Sequence, residues 1–169
     1  MTRLGREAWA MEMAQVTARR STCLRRHVGC VLVDKDFYVL ATGYNGVAAG
    51  QPHCNKRVNG AWALGNLDVG VRADRIIYAN HCPGAFAASG TNLDGCHAIH
   101  AEQNALLRLR DPRELYACFC TASPCMTCTK LLMNTGCQVI IFGEAYPHNE
   151  AQLLWESMGR EWRQFSADS

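Results

Sequence analysis

The most informative part of the chain is residues 96–107, CHAIHAEQNALL, read together with residues 123–128, SPCMTC. The first stretch places a carboxylate two residues after an imidazole, and the second places a Cys-x-x-Cys pair behind a proline. Zinc accepts imidazole and thiolate ligands, and a catalytic zinc uses three protein ligands so that water can take the fourth position. A structural zinc takes four protein ligands. The two stretches therefore predict a catalytic zinc site held by His100, Cys125 and Cys128.

Two simpler explanations remain open for parts of this set. A Cys-x-x-Cys pair also occurs in structural sites, and Glu102 suits the first turn of a helix, where a carboxylate stabilises the helix dipole. Neither explanation accounts for the occurrence of Glu102, His100 and the cysteine pair together. In the catalytic interpretation Glu102 is not a metal ligand but the group that carries protons.

Both metal segments are predicted to open helices. Residues 100–110 have helical spacing and stop before a proline, and residues 125–135 resume that spacing up to a glycine. His100 and Cys125 would then lie in the first turns of two helices, where free N–H groups and the helix dipole favour a thiolate over a thiol. Two helix N-termini that face each other can hold one zinc ion.

The remaining patterns predict strands that alternate with helices. Residues 28–33 and 37–44 are rich in β-branched and aromatic residues and flank a short Asp-Lys-Asp turn, which is typical of a hairpin. The further predicted strands are 115–121, 138–142 and 161–165, and the further predicted helices are 6–20 and 150–158. The predicted buried face of the first helix consists of Trp9, Met13, Val16 and Thr17. This order predicts an α/β protein with a three-layer α/β/α fold around a mixed five-stranded sheet.

Length and composition predict one domain, residues 1–169, with an ordinary core. Residues 46–95 form a long connection, rich in Gly, Asn and Asp, with one predicted helix at 71–80. Apolar residues make up 49% of the chain and the formal charge is +2, which excludes a disordered class and does not demand a nucleic-acid partner. The start of the chain lacks a signal-peptide pattern and no run of 18 apolar residues occurs, so we expect a cytoplasmic protein without a membrane partner. In a reducing compartment, ten cysteines indicate metal ligands or buried thiols.

Two further segments extend a resemblance to a known family. Residues 27–33, HVGCVLV, and 41–46, ATGYNG, together with the two metal segments, resemble the cytidine and deoxycytidylate deaminase superfamily, and most of all its deoxycytidylate (dCMP) deaminase branch. The resemblance implies hydrolysis of dCMP to dUMP and ammonia, a reaction that feeds thymidylate synthesis. It also implies that Glu102 takes a proton from water, gives it to ring atom N3 and later protonates the departing amino group.

The resemblance implies further binding residues. Asn45 would hydrogen-bond the nucleotide because an amide can both donate and accept, although Asn-Gly is also a common turn. The other implied substrate-binding residues are Arg26, Ala101, Ser123 and Tyr146. Arg25 beside Arg26 is a second candidate for the phosphate, and a solvated face is the simpler explanation for either arginine alone. Tyr44 and Gly46 would lie near a site for a dCTP or dTTP effector, and Mg²⁺ can accompany such a triphosphate. The resemblance also implies a homo-oligomer, for which a hexamer is favoured.

A second, structural zinc is also predicted from the resemblance. Some members of the family hold such an ion with cysteines, and here the implied ligands are Cys23, Cys54, Cys96 and His97. His81 and Cys82 are alternatives for the last two positions, because the spacing differs from the family pattern. The cysteines predicted to lie in the core are Cys30, Cys118, Cys120 and Cys137.

Two other functions share the predicted fold. A base deaminase acting on tRNA or single-stranded DNA would use the same zinc chemistry but needs a positive channel with aromatic side chains for base stacking. The low net charge and the GYNG segment at residues 43–46 disfavour it. A zinc-stabilised binding protein without a reaction is the third interpretation, and the intact set of ligands with Glu102 disfavours that one.

Overall fold

A five-stranded sheet with helices on both faces forms the centre of the computed structural model, which describes residues 3–51, 53–54, 84, 88, 91, 95–146 and 149–166. The strands are β1 Gly29–Val33, β2 Val39–Tyr44, β3 Ala117–Ala122, β4 Val139–Glu144 and β5 Glu161–Gln164. Their order across the sheet is β2-β1-β3-β4-β5. β1 runs antiparallel to β2 and β3, whereas β3, β4 and β5 are parallel, so the predicted mixed sheet is confirmed.

The helices form the outer two layers. They are α1 Arg6–Ala18, α2 Ala101–Leu106, α3 Met126–Met133 and α4 Glu150–Glu156, with a short 3-10 helix at Pro112–Glu114. α1 packs on one face of the sheet with Val31 and Phe119, and α2, α3 and α4 cover the other face. Within the described residues, no helix is long and apolar enough to span a membrane.

Alternation along the strands explains why both faces are covered. In β1, Cys30 and Leu32 pack towards α2 and α3, while Val31 and Val33 pack towards α1, and all four are buried. Successive side chains of a strand point to opposite faces, so a strand without polar residues needs a layer on each side. The three-layer prediction is thereby confirmed.

Two glycines allow helices to lie close to the sheet. A Cβ atom on Gly29 would collide with the backbone of α1 at Ala14 and Ala18, and one on Gly43 would collide with the backbone of α2. The contact at Gly43 brings the first turn of α2 against the end of β2. It therefore helps to fix the position of the predicted metal segment.

The close packing of α1 corrects the prediction of its buried face. The buried residues are Ala10, Met11, Ala14 and Ala18. Trp9 and Val16, which were predicted to face the core, are 40% and 61% exposed. Where the backbone of α1 lies against Gly29, only small side chains fit, and Ala14 and Ala18 occupy that contact. Met11 is the large side chain of α1 that is buried beside it.

Several element ends also differ from the predicted ones. α2 ends at Leu106 instead of residue 110 because the chain continues in tighter turns, with Arg108 N–H bonded to the carbonyl of Ala105. β2 begins at Val39 because Phe37 adopts a positive φ of 68° in the hairpin turn. The predicted helix at 71–80 lies outside the described residues.

Candidate metal centre and active site

The two predicted metal segments meet at helix N-termini. His100 is the N-cap of α2 and Cys125 is the N-cap of α3, as the spacing predicted. The backbone before His100 is held by two hydrogen bonds between Ile99 and Gly46, of 2.9 and 3.1 Å. The N–H of His100 donates to Oε1 of Gln103 at 2.9 Å, which fixes the first turn of α2.

The three predicted ligand atoms converge. Nδ1 of His100 lies 3.4 Å from Sγ of Cys125 and 3.4 Å from Sγ of Cys128. All three ligand atoms lie within 4.8 Å of one another. In a tetrahedral zinc site with usual bond lengths, an imidazole nitrogen and a thiolate sulfur are about 3.5 Å apart. The donor set therefore fits one zinc ion and would leave one of its four positions without a protein ligand.

The electrostatics of these donors suit a cation. The pKa of Cys125 is lowered to about 4, chiefly by the hydrogen bond from Cys128 and also by His100, against the opposing effect of burial. The pKa of Cys128 is raised, first by the hydrogen bond to Cys125 and then by burial. The pKa of His100 is raised, chiefly by its hydrogen bond to Cys125. Without a metal ion, these pKa shifts favour the thiolate of Cys125 and the protonated forms of Cys128 and His100. A metal ion that binds all three groups must displace the protons of the last two.

Glu102 lines the same pocket from the first turn of α2 and is only 4% exposed. Burial raises the pKa of its carboxyl group to about 7, and its own backbone N–H and His100 act in the opposite direction. A general acid and base works best when its pKa lies near the pH of the reaction. The position and the ionisation of Glu102 therefore suit proton transfer.

Asn45 forms part of the pocket wall and also holds it together. Its Oδ1 accepts from the N–H of Val28 at 2.8 Å, and its Nδ2 donates to the carbonyl of Arg26 at 2.7 Å. An amide has two N–H donors, so one remains for a ligand. The residue that the resemblance assigned to substrate binding is thus also a structural support for the segment that carries Arg26.

Arg26 and Tyr146 face each other across one end of the pocket. Cζ of Arg26 lies 5.8 Å from the centre of the Tyr146 ring, and the guanidinium forms an ion pair with Glu144. The N–H of Tyr146 donates to Oγ of Ser123 at 2.7 Å, which leaves the hydroxyl proton of Ser123 available to a ligand. The predicted substrate-binding residues that line the pocket are Arg26, Asn45, Ala101, Ser123 and Tyr146.

Arg25 has a different set of contacts, although it lines the same pocket. Its Nη2 donates to the carbonyl oxygens of Ala88 at 2.6 Å and Thr91 at 3.0 Å. These bonds join the wall of the pocket to the end of the long connection. The guanidinium of Arg25 is therefore hydrogen-bonded to backbone carbonyls, whereas that of Arg26 forms an ion pair with a carboxylate.

The predicted effector residues, Tyr44 and Gly46, flank Asn45 but are not themselves among the residues that line the pocket. The carbonyl of Tyr44 accepts from Nδ2 of Asn104 in α2 at 2.8 Å, and Gly46 pairs with Ile99. Both residues thus contact the segments around His100 without lining the cavity that contains it. Their role in binding an effector stays a prediction.

The predicted second metal site is only partly assembled among the described residues. Cys23 and Cys96 hydrogen-bond to each other, which lowers the pKa of Cys23 to about 5, and both line the pocket. Cys54 is buried and His97 is exposed. These four residues do not form a group of three or more whose ligand atoms lie within 4.8 Å of one another. The alternatives His81 and Cys82 lie outside the described residues.

A second group of sulfur atoms lies inside the core. Sγ of Cys118 is 3.6 Å from that of Cys30 and 3.4 Å from that of Cys120, and all three residues are fully buried. Cys137 is buried in the same cluster of side chains, where its Sγ contacts the carbonyl of Val139 at 3.4 Å. The prediction that these four cysteines belong to the core is confirmed.

Sequence reasoning missed two residues that shape the site. Gln103 fixes the backbone of His100, and Glu144 pairs with Arg26. A glutamine three residues after an N-cap is a known sequence signal for the first of these contacts. The second joins residues 118 positions apart and depends on the pairing of β1 with β3 and of β3 with β4.

Comparison with known proteins agrees with this geometry. The family model described as the cytidine and deoxycytidylate deaminase zinc-binding region matches residues 5–144, which include all three zinc donors and Glu102. The chain belongs to this deaminase family. The name of the family's region makes zinc the metal that the site of His100, Cys125 and Cys128 is built to hold.

Individual relatives of the chain are also deaminases by name. Deoxycytidylate deaminase of Schizosaccharomyces pombe is 33% identical over 165 residues, which cover 94% of this chain and 44% of that protein. Deoxycytidylate deaminase of Mycobacterium phage D29 is 32% identical over 147 residues, which cover 84% of this chain and 97% of that protein. The chain therefore spans less than half the length of the yeast relative and nearly the whole length of the phage one.

A solved structure shows the same fold. The dCMP deaminase of cyanophage S-TIM5, in complex with dCMP and dUMP, matches with a TM-score of 0.65 and 23% identity, covering 95% of this chain and 96% of that one. At this level of identity the match supports the deaminase fold of the chain.

Proposed function

We propose that the protein is a zinc-dependent hydrolase that converts dCMP to dUMP and ammonia. The observation that carries the proposal is the convergence of His100, Cys125 and Cys128 at two helix N-termini, in a pocket that Glu102 also lines. The names of the yeast and phage relatives, and the dCMP and dUMP bound to the cyanophage enzyme, support a cytosine nucleotide as the substrate.

The chemistry follows from the donors and the acid in the pocket. Zinc held by three protein ligands lowers the pKa of water towards 7 and so supplies hydroxide at neutral pH. Glu102 accepts the proton of the water that attacks C4 of cytosine and delivers it to N3 of the ring. It then takes the proton of the new hydroxyl group on C4 and passes it to the amino group, so that the C4–N bond breaks and ammonia leaves. A buried carboxyl group whose pKa is about 7 can both accept and donate a proton at neutral pH.

The other lining residues hold and orient the nucleotide. The free N–H of Asn45 and the hydroxyl of Ser123 are available to the polar edge of the base or to the sugar. The guanidinium of Arg26, stacked against Tyr146, is the group in the wall best suited to the phosphate, because guanidinium groups bind phosphate oxygens in pairs. Small apolar side chains, Val28, Ala98 and Ala122, complete the lining of the pocket.

The direct test is ammonia release from the zinc-loaded protein with free dCMP and, separately, with a deoxycytidine oligonucleotide. The proposal predicts turnover of dCMP and none of the oligonucleotide. Turnover of the oligonucleotide alone would favour a base deaminase that acts on nucleic acid. A protein that binds zinc and deaminates neither substrate would be a binding protein of the same fold, and the proposed function would be wrong.

Two finer features of the family-based prediction also belong to this proposal. A dCTP or dTTP effector with Mg²⁺ would act near Tyr44 and Gly46, which contact the segments around His100. A structural zinc would be held by Cys23 and Cys96 with Cys54 and His97. Metal analysis gives two zinc ions per chain if that second site exists and one if it does not, and dCMP turnover with added dCTP or dTTP tests the effector.

A further inference from the structure

Glu144 contacts the group that we assign to the substrate's phosphate. It is the last residue of β4, and its backbone carbonyl accepts from the N–H of Ser123 at 2.9 Å. Its carboxylate forms an ion pair with Nη2 of Arg26. The side chain of Glu144 is 74% exposed, whereas that of Arg26 is only 27% exposed. The glutamate thus reaches from solvent to an arginine that belongs to the pocket.

Arg26 has supports that do not depend on this ion pair. Its guanidinium lies 5.8 Å from the centre of the Tyr146 ring, and its backbone carbonyl accepts from Nδ2 of Asn45 at 2.7 Å. We therefore expect the guanidinium to stay beside the Tyr146 ring at the pocket wall when Glu144 moves away. Arg25, the other arginine among the described lining residues, is engaged by the carbonyl oxygens of Ala88 and Thr91.

We propose that the carboxylate of Glu144 takes the place of the substrate's phosphate on Arg26 when the pocket is empty and competes with that phosphate for the guanidinium. The inference rests on the proposed function. A carboxylate and a phosphate bind a guanidinium through the same N–H groups, so they compete for Arg26. Binding of a nucleotide displaces the Glu144 carboxylate into solvent, whereas a nucleoside leaves the ion pair in place.

The balance of this exchange favours the phosphate. An exposed ion pair contributes little stability, because water and salt screen both charges. A phosphate monoester carries more negative charge than a carboxylate and offers three acceptor oxygens. Glu144 therefore weakens the binding of dCMP by a modest factor and leaves the binding of deoxycytidine unchanged. Its presence keeps the arginine neutralised until a phosphate arrives.

The variant Glu144→Gln tests the proposal because it keeps the size of the side chain and removes its charge. We expect KM for dCMP to fall about twofold to fivefold at low ionic strength, the range that an exposed ion pair covers, with kcat unchanged. The effect should shrink when salt is added. We expect kcat/KM for deoxycytidine to stay the same. The matched control is Glu114→Gln, which removes one charge from an exposed position on the short 3-10 helix.

Inorganic phosphate provides a second measurement that does not need turnover. Calorimetric titration should give tighter phosphate binding to Glu144→Gln than to the wild type or to Glu114→Gln. A KM for dCMP that rises or stays constant in Glu144→Gln, or phosphate binding that both variants tighten equally, would overturn the proposal. A wild-type protein that does not deaminate dCMP at all would instead overturn the proposed function, and the phosphate titration would still test the role of Glu144.

Discussion

At the scale of single residues, Glu102 is the proposed carrier of protons, a task that no other described side chain of the pocket can take over. It is the one carboxyl group among the described lining residues, and burial holds its pKa near 7. We predict that Glu102→Gln lowers kcat for dCMP at least about 100-fold, because a positioned acid and base contributes that much or more. Zinc content should remain that of the wild type, since Glu102 is not a ligand.

The measurement for this variant is ammonia release together with zinc per chain by elemental analysis. Ammonia release reports the reaction and the zinc content reports metal binding, so the two effects of the substitution are measured separately. Wild-type turnover in Glu102→Gln would remove this residue from the mechanism. Loss of zinc from the variant would instead make Glu102 part of the metal site.

Asn45 is the residue at which structural support and the proposed binding of the nucleotide coincide. Asn45→Ala removes the partners of the Val28 N–H and of the Arg26 carbonyl, both of which lie in the pocket wall. We expect the free energy of unfolding to fall by about 1–3 kcal/mol, the cost of buried polar groups without partners. KM for dCMP should rise as well, because Arg26 loses its backbone support.

Urea unfolding and steady-state kinetics measure these two effects of Asn45→Ala. Ser157→Ala is a suitable control, since the Ser157 hydroxyl makes an exposed hydrogen bond to Leu154, remote from the pocket lining. Unchanged stability in Asn45→Ala would show that the amide is not a support.

At the scale of elements, the two glycines under the helices determine how closely the layers pack. A Cβ on Gly43 would collide with the backbone of α2 at Ala101 and Ala105. We predict that Gly43→Ala destabilises the protein by about 1–3 kcal/mol, as overpacking of a core does. It should also reduce kcat, because α2 carries His100 and Glu102.

Thermal unfolding of Gly43→Ala measures the first effect. Gly5→Ala is the control, because no atom lies within 4 Å of a Cβ at that position. We expect the control to lose less than about 1 kcal/mol, because Gly5 is the N-cap of α1, where alanine is only a weaker cap than glycine. Equal melting temperatures for both variants would contradict the close contact between β2 and α2.

The same contacts explain which elements the sequence predicted well. The two helices that begin at His100 and Cys125 were placed correctly, because an N-terminal signal and a metal-ligand pattern coincide there. The buried face of α1 was predicted wrongly, because hydrophobic periodicity selects Trp9 and Val16 and does not register the glycine opposite the helix. Local patterns do not report how close two layers approach.

At the scale of the whole molecule, the order of the strands in the sheet could not be predicted from the spacing of residues in the sequence. β1 pairs with β3 although more than 80 residues separate Cys30 from its partner Cys120. The alternation of strands and helices predicted a layered α/β fold, and the family resemblance predicted the arrangement of the site. The ion pair between Arg26 and Glu144 depends on this long-range pairing, so it became visible only in the folded chain.

Metal removal is the prediction that concerns the whole molecule. Zinc binds the folded donors more tightly than the unfolded chain, so it stabilises the fold by mass action. At a free zinc concentration about 100 times the dissociation constant, this contribution is about 2.7 kcal/mol. We therefore expect chelation to lower the melting temperature by about 5–10 °C and to abolish turnover. Both should return when zinc is added, and scanning calorimetry of the stripped and reloaded protein measures the change.

The most direct test of the account is the zinc content of Cys128→Ala beside that of Cys137→Ala. Both residues are buried cysteines, but only Cys128 is assigned to the zinc. We predict that Cys128→Ala contains one zinc ion fewer per chain than the wild type and has no dCMP turnover. Cys137→Ala should keep the zinc content and the dCMP turnover of the wild type. If Cys128→Ala retains the wild-type zinc content and turnover, the site formed by His100, Cys125 and Cys128 is not the catalytic centre.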